Sequence, residues 1–214
     1  MQKPSCLKLG LYIRQDHGEL RYLVEASGAF ANTSSSKSAN SLQPHTEASN
    51  YPDPPKYVAL WCDRQANCGG GQTTLADGRQ LFQMLDASDR ITVTDQDIHF
   101  GDPSRTIHSV GKVVTLQSGE PTLIRFSYNL LRHGLYDPVV SNDEVDCAPG
   151  SRLAKVAESL LHLFTLQNLA IDIRQNGLLV WENFRMLHSR RRYRDQRRRL
   201  IRYWLTARDI DSVF

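Results

Sequence analysis

A mainly β protein with flanking helices is predicted, and three observations carry the prediction. Short apolar runs separated by turn residues fill most of the chain, the pattern of an antiparallel sandwich or barrel. One long stretch instead places apolar residues at three- and four-residue steps. No segment holds the roughly 18 consecutive apolar residues that a membrane-spanning helix takes. With 214 residues, 40% of them hydrophobic and 23% charged, the composition is globular, and a single domain spanning 1–214 is expected.

The strands are predicted in order at residues 7–13, 20–25, 57–62, 91–94, 112–116, 122–128, 171–174, 178–181 and 200–206. Asp16-His17-Gly18 and Gln175-Asn176-Gly177 carry turn chemistry and are expected to close hairpins. Over 151–169, Leu153, Val156, Ala157, Leu160, Leu161 and Phe164 trace one face of a helix that opens at Gly150-Ser151. A shorter helix is expected to begin near Asp77, with Leu81, Met84 and Leu85 on one face. Residues 32–55 are rich in Ser, Asn and Pro. That length without structure is unusual in a compact domain and reads as a disordered or a functional loop.

Met1-Gln2-Lys3-Pro4-Ser5-Cys6 lacks the apolar run of a signal peptide, so a soluble, cytoplasmic protein with no membrane contact is expected. Cys6, Cys62, Cys68 and Cys147 show no Cys-x-x-Cys pair and read as reduced thiols, with Cys62 as a buried apolar residue. The net charge of +3 hides an asymmetry. Ten arginines and one acid, Asp195, fall between Arg185 and Arg208, a local +9 that leaves −6 for the remainder. Such a run seeks an anionic partner, large or small.

His45-Thr46-Glu47 sets an imidazole and a carboxylate two residues apart, on one side of an extended segment. A distant second histidine would complete the two-histidine, one-carboxylate triad that leaves one face of a ferrous ion open. His-x-Glu arises about once by chance in a chain with this many histidines and acids. His17-Gly18-Glu19 fits as well. His17 lies on a glycine turn, where the same-side rule fails, so His45 is preferred. His99, His108, His133 and His162 show no partner spacing and read as surface or core residues.

His45-Thr46-Glu47 is followed by Pro54-Pro55-Lys56-Tyr57-Val58-Ala59-Leu60-Trp61-Cys62, by Gly69-Gly70-Gly71-Gln72-Thr73-Thr74, and by Leu75-Ala76-Asp77-Gly78. Near the other end come Gly177-Leu178-Leu179-Val180-Trp181-Glu182-Asn183, Met186-Leu187-His188-Ser189-Arg190 and Arg198-Arg199-Leu200-Ile201-Arg202-Tyr203-Trp204-Leu205. In this order the segments, over roughly 42–207, resemble the taurine dioxygenase and clavaminate synthase-like family of Fe(II), 2-oxoglutarate-dependent oxygenases. Residues 90–150 match no motif. The resemblance implies a double-stranded β-helix (jelly roll, cupin-like) with His45, Glu47 and His188 as metal ligands. It also implies Fe(II), 2-oxoglutarate and O2 as cofactor and cosubstrates, with succinate and CO2 released as an unactivated C–H bond is oxidised. A Glu in the triad resembles the amino-acid hydroxylase branch, so the implied substrate is an amino acid or an intermediate derived from one.

The resemblance also gives the arginines a use. The distal carboxylate of 2-oxoglutarate, in a dry barrel, is best held by a bidentate guanidinium and a hydroxyl, and Arg198 and Thr73 are the candidates. Arg202 is the candidate for an anionic substrate group. Even spacing puts Arg198 and Arg202 on one side of a strand and Arg199 on the other, and a one-residue slip would exchange them. Arg190, Arg191, Arg192, Arg194 and Arg197 are read as a solvated basic loop, with a polyphosphate or carrier protein as the other candidate contact. Asn183 is read as capping a turn, either structurally or to aim His188, and Thr74 and Gln72 as positioning the glycine loop. The 32–55 loop is expected near the barrel mouth. Two alternatives remain open: a jelly-roll binding protein without turnover, and a nucleic-acid-binding module built on the arginine run.

Overall fold

The computed structural model describes residues 10–15, 18–140 and 151–206. In chain order these form β1 (Tyr12–Ile13), β2 (Tyr22–Glu25), a single 3-10 turn (Gly28–Phe30), β3 (Leu42–His45), β4 (Tyr57–Arg64) and β5 (Thr73–Asp77). Then come α1 (Gly78–Met84), α2 (Ala87–Asp95), β6 (Ile98–Phe100), β7 (Ser109–Gly111), β8 (Val114–Gln117), β9 (Glu120–Ile124) and α3 (Tyr128–His133). The chain finishes with α4 (Arg152–Gln167), β10 (Leu169–Ile171), β11 (Leu178–Glu182), β12 (Met186–Arg190) and β13 (Arg199–Leu205).

Two antiparallel sheets face each other. The first runs β1-β13-β4-β11, with β2 also on β13; the second runs β10-β5-β12-β3. Hairpins β6-β7 and β8-β9 flank them. Between the sheets lies an apolar layer including Val58, Leu60, Cys62, Leu75, Trp181, Leu200 and Trp204. The far side of the second sheet carries Ala76 and Leu187 into a second core, with Val156, Leu160 and Phe164 of α4 and Leu130 and Leu131 of α3. Alternation explains the division. Along β5 and β12, successive side chains point to opposite faces, so Leu75 and His188 look into the barrel while Ala76 and Leu187 look toward the helices.

Several expectations need correction. Residues 91–94 were expected as a strand and lie in α2. Asp86 caps that helix by accepting from Asp89 N at 2.7 Å, and Val93 is buried while Ile91 is exposed. The cap and the docking of Arg152 on Thr92 override the β-branched propensity. The strand expected at 122–128 stops at Ile124, because Ser127 caps α3 through Leu130 N. Among the described residues, neither turn joins its two flanking strands to each other. Asp16 and His17 lie outside the described residues, but β1 and β2 on either side do not pair with each other. They follow one another along the same edge of β13. The 175–177 turn instead passes the chain from β10 in the second sheet to β11 in the first. Asn176, at φ 64, supports that turn while its N–H donates to Cys62 O at 2.7 Å. In the shorter helix, Leu81 and Leu85 are buried as expected, but Met84 is exposed.

Candidate active site

The His45-x-Glu47 segment is fixed through the residue between its two candidate ligands. Thr46 N donates to Phe126 O at 2.8 Å, and Phe126 N donates back to the Thr46 hydroxyl at 2.9 Å. Strand pairing then sets His45 directly opposite His188 of β12. Beyond Glu47 the chain turns at Ala48, whose φ is 54. Asn183 clamps the turn: Glu47 N donates to its side-chain oxygen at 2.7 Å, while its amide nitrogen donates to Glu47 O and Pro55 O, each at 3.0 Å. Asn183 thus aims Glu47, whereas the sequence suggested a turn cap or an aim on His188.

One ligand atom from each of His45, Glu47 and His188 lies within 4.8 Å of the other two. The imidazole rings of His45 and His188 are 4.1 Å apart, and Trp181 covers His188 at 4.8 Å. Burial holds the His45 imidazole below its ordinary pKa despite the nearby Glu47 charge. Burial, helped by His45 and Arg202, pushes His188 well below. Both rings are therefore neutral at pH 7 and offer lone pairs. His45 Nδ1 lies 2.8 Å from Gln43 O and so carries the proton, which leaves Nε2 as the donor. Arg202 Nη1 holds Glu47 Oε1 at 2.7 Å, while Oε2 stands 3.7 Å from His188 Nε2. Two neutral imidazoles and one carboxylate match the preferences of a divalent iron ion, so the residues present fit that group.

Arg198 and Arg202 enter the same space. The β13 register with β4 shifts between Arg199 and Leu200, and the extra residue, Asp63, belongs to β4, so alternation along β13 is kept. Leu200, Arg202 and Trp204 accordingly share the inner face, and Arg198 precedes them on the same parity. Arg199 points outward and pairs with Asp63. Arg198 is 1% exposed, and its Nε and Nη1 have no hydrogen-bond partner. A cavity of about 50 Å³ is lined by His45, Glu47, Thr73, His188, Arg198 and Arg202 together. Gly71 makes room for this arrangement. Its φ is +82, and a Cβ there would stand 2.8 Å from Arg198 Nε.

A larger cavity of about 610 Å³ opens beside the first and shares His45, Glu47 and Arg202 with it. Its walls include Tyr22, Lys37, Asn129, Tyr136 and Asp137. The Ser/Asn-rich segment forms part of both cavities and is held from below by Arg190. Arg190 was read as solvated, yet it is 5% exposed. Its guanidinium donates to Ser36 O at 3.1 Å, Ser38 O at 2.7 Å and Asn40 O at 2.6 Å, with Ser35 O at 3.3 Å. Tyr193 N adds a bond to Ala39 O. Strand alternation puts it there: on β12, Arg190 is two residues from His188 and so shares its inward face. Arg191, Arg192, Arg194 and Arg197 are exposed, Arg197 being paired with Asp195.

The family model for taurine catabolism dioxygenase TauD, TfdA family, matches residues 8–204. The chain belongs to this family. A structure of asparagine oxygenase in complex with Fe(II), (2S,3S)-3-hydroxyasparagine and succinate superposes with a TM-score of 0.72 at 15% identity, covering 93% of this chain and 60% of that one. The non-heme iron oxygenase OrfP in complex with Fe and alpha-ketoglutaric acid gives 0.64 at 17% identity, covering 95% and 62%. The fold is the double-stranded β-helix of these oxygenases, and the TauD/TfdA chain described here spans about 60% of the length of these two structures. No curated protein matches it.

Proposed function

We propose that the protein is an Fe(II)/2-oxoglutarate-dependent oxygenase that hydroxylates an unactivated C–H bond of an amino acid or an amino-acid-derived intermediate. The observation that carries the proposal is the meeting of His45, Glu47 and His188 within 4.8 Å, beside a buried Arg198 whose Nε and Nη1 have no hydrogen-bond partner. Iron with 2-oxoglutarate and O2 would supply the oxidising power, releasing succinate and CO2.

The remaining work belongs to the chain. His45 and His188 would hold the ion as neutral donors, and Glu47 would neutralise part of its charge through Oε2. Arg202 orients Glu47 by holding Oε1, and Gln15 in turn accepts from Arg202 Nε at 2.8 Å. Arg198 is surrounded by Gly71, Tyr193 and Cys62 and has no acid within salt-bridge distance among the described residues. A buried guanidinium without an anion is costly. The distal carboxylate of 2-oxoglutarate, with the Thr73 hydroxyl beside it, would relieve that cost. Val24, Leu60, Trp181 and Leu200 line the small cavity and keep water from the cosubstrate. The larger cavity would take the substrate, with Arg202 at its inner end.

Anaerobic addition of Fe(II) and 2-oxoglutarate tests this reading. A weak visible charge-transfer band of the chelate is expected for the parent protein and is expected to be lost in His45→Ala. A parent protein that binds neither, by this band or by calorimetry, refutes the reading.

A further inference from the structure

Among the described residues, cations outnumber acids on the walls of the two joined cavities. Lys37, Arg105, Arg190, Arg198 and Arg202 face only Glu47 and Asp137 among the described lining residues. Arg105 is paired with Asp137 at 2.8 Å, whereas Arg202 shares Glu47 with the proposed metal site, so its charge is only partly met. Arg198 is assigned above to 2-oxoglutarate, and both terminal nitrogens of Arg190 are spent on loop carbonyls. Lys37 remains. Among the described residues its ammonium has no carboxylate partner; instead it stands 5.2 Å from the Tyr22 ring centre and 5.9 Å from that of Phe30, and both rings line the large cavity.

Tyr22 links Lys37 to the centre of the site. The guanidinium carbon of Arg202 is 4.4 Å from the same ring centre, so the two cations are less than about 10 Å apart. Lys37 is also held in place from its backbone. Ser27 N donates to Lys37 O at 2.9 Å, Lys37 N donates to the Ser35 hydroxyl, and Arg190 grips the carbonyls of Ser36 and Ser38 on either side. These bonds fix the backbone that carries Lys37, which lowers the ordering cost of meeting an anion. Fe(II) and dianionic 2-oxoglutarate together add no net charge, so the Lys37 ammonium stays open to an anionic group of the substrate.

Resting on the oxygenase reading above, we propose that the substrate carries two acidic groups, one met by Arg202 and the other by Lys37, and that Lys37 selects for the second. With a charge-assisted contact of about 2.8 Å at each end, a four- or five-carbon amino dicarboxylate bridges the two cations. An acidic amino acid fits this description, whereas its amide places an uncharged group before Lys37.

The test compares isosteric pairs, aspartate with asparagine and glutamate with glutamine, by calorimetry on protein loaded with Fe(II) and 2-oxoglutarate under nitrogen and, separately, on metal-free protein. At least one acid is expected to bind about tenfold more tightly than its amide. In Lys37→Gln the gap is expected to close to about threefold or less, with the chelate band unchanged. Equal binding within each pair, preference for the amide, no binding of either acid, or a gap that survives in Lys37→Gln would each overturn the proposal. Loss of the chelate band in the parent protein would instead count against the oxygenase reading, and the metal-free titration would still decide the role of Lys37.

Discussion

Asn183 shows how one side chain can govern a site that it does not line. Its amide supplies one acceptor and two donor bonds to the backbone around Glu47 and Pro55, all in a buried setting. Asn183→Ala strands Glu47 N and two carbonyl oxygens without partners, which costs about 1–3 kcal/mol per unmet group before relaxation. A loss of about 2–4 kcal/mol in urea unfolding is therefore expected, together with weaker metal binding because Glu47 is no longer aimed. A stability within 0.5 kcal/mol of the parent, as an ordinary surface substitution would give, contradicts this account. Sequence reading singled out Asn183 but gave it a different target. Its partner lies 136 residues away, and no spacing rule reaches that far.

At the scale of elements, β12 does two jobs because of alternation. Leu187 is 1% exposed in the helix-side core, while His188 and Arg190 face inward. The motif around His188 was legible, but the strand was not. Met186-Leu187-His188-Ser189-Arg190 has too few β-formers to announce itself, and it becomes a strand because β5 and β3 pair with it on both sides. β3 was missed for the same reason and β5 because Thr73-Thr74 was read with the preceding glycine loop, although all three strands carry site residues. The long helix was readable because its apolar period is local. The Ser/Asn-rich segment gave only its length and composition, and its order comes from distant groups, Arg190 with four carbonyl contacts and Tyr193 and Asn129 beside it. Replacing Arg190 with Met removes the bonds to Ser35, Ser36, Ser38 and Asn40. Amide exchange across residues 34–40 is expected to speed up at least about tenfold, with the α4 amides unchanged. Unchanged protection in that segment would show that other contacts hold it.

For the whole molecule, the two sheets form a stable wall of apolar residues around a strip of charge, and stability should therefore depend on what fills the strip. No described helix is long and apolar enough to cross a membrane. Fe(II) with 2-oxoglutarate at about one hundred times its dissociation constant is expected to stabilise the fold by about 2.7 kcal/mol, visible as a rise in Tm under nitrogen. Arg198→Ala should lose the increment due to 2-oxoglutarate, while Arg199→Ala, altering an outward residue on Asp63, should retain it. An equal loss in both variants would place the cosubstrate elsewhere. The sequence by itself determined what local chemistry can encode: a β-rich chain, the long amphipathic helix, the ordered motifs of the family, and the parity that separates Arg198 and Arg202 from Arg199. Tertiary structure alone decided which distant groups share a cavity, that the two expected hairpins are instead an interrupted edge strand and a sheet crossover, and that Arg190 is a buried clasp. Periodicity reports which face a side chain takes, whereas strand pairing between segments more than a hundred residues apart decides what that face meets.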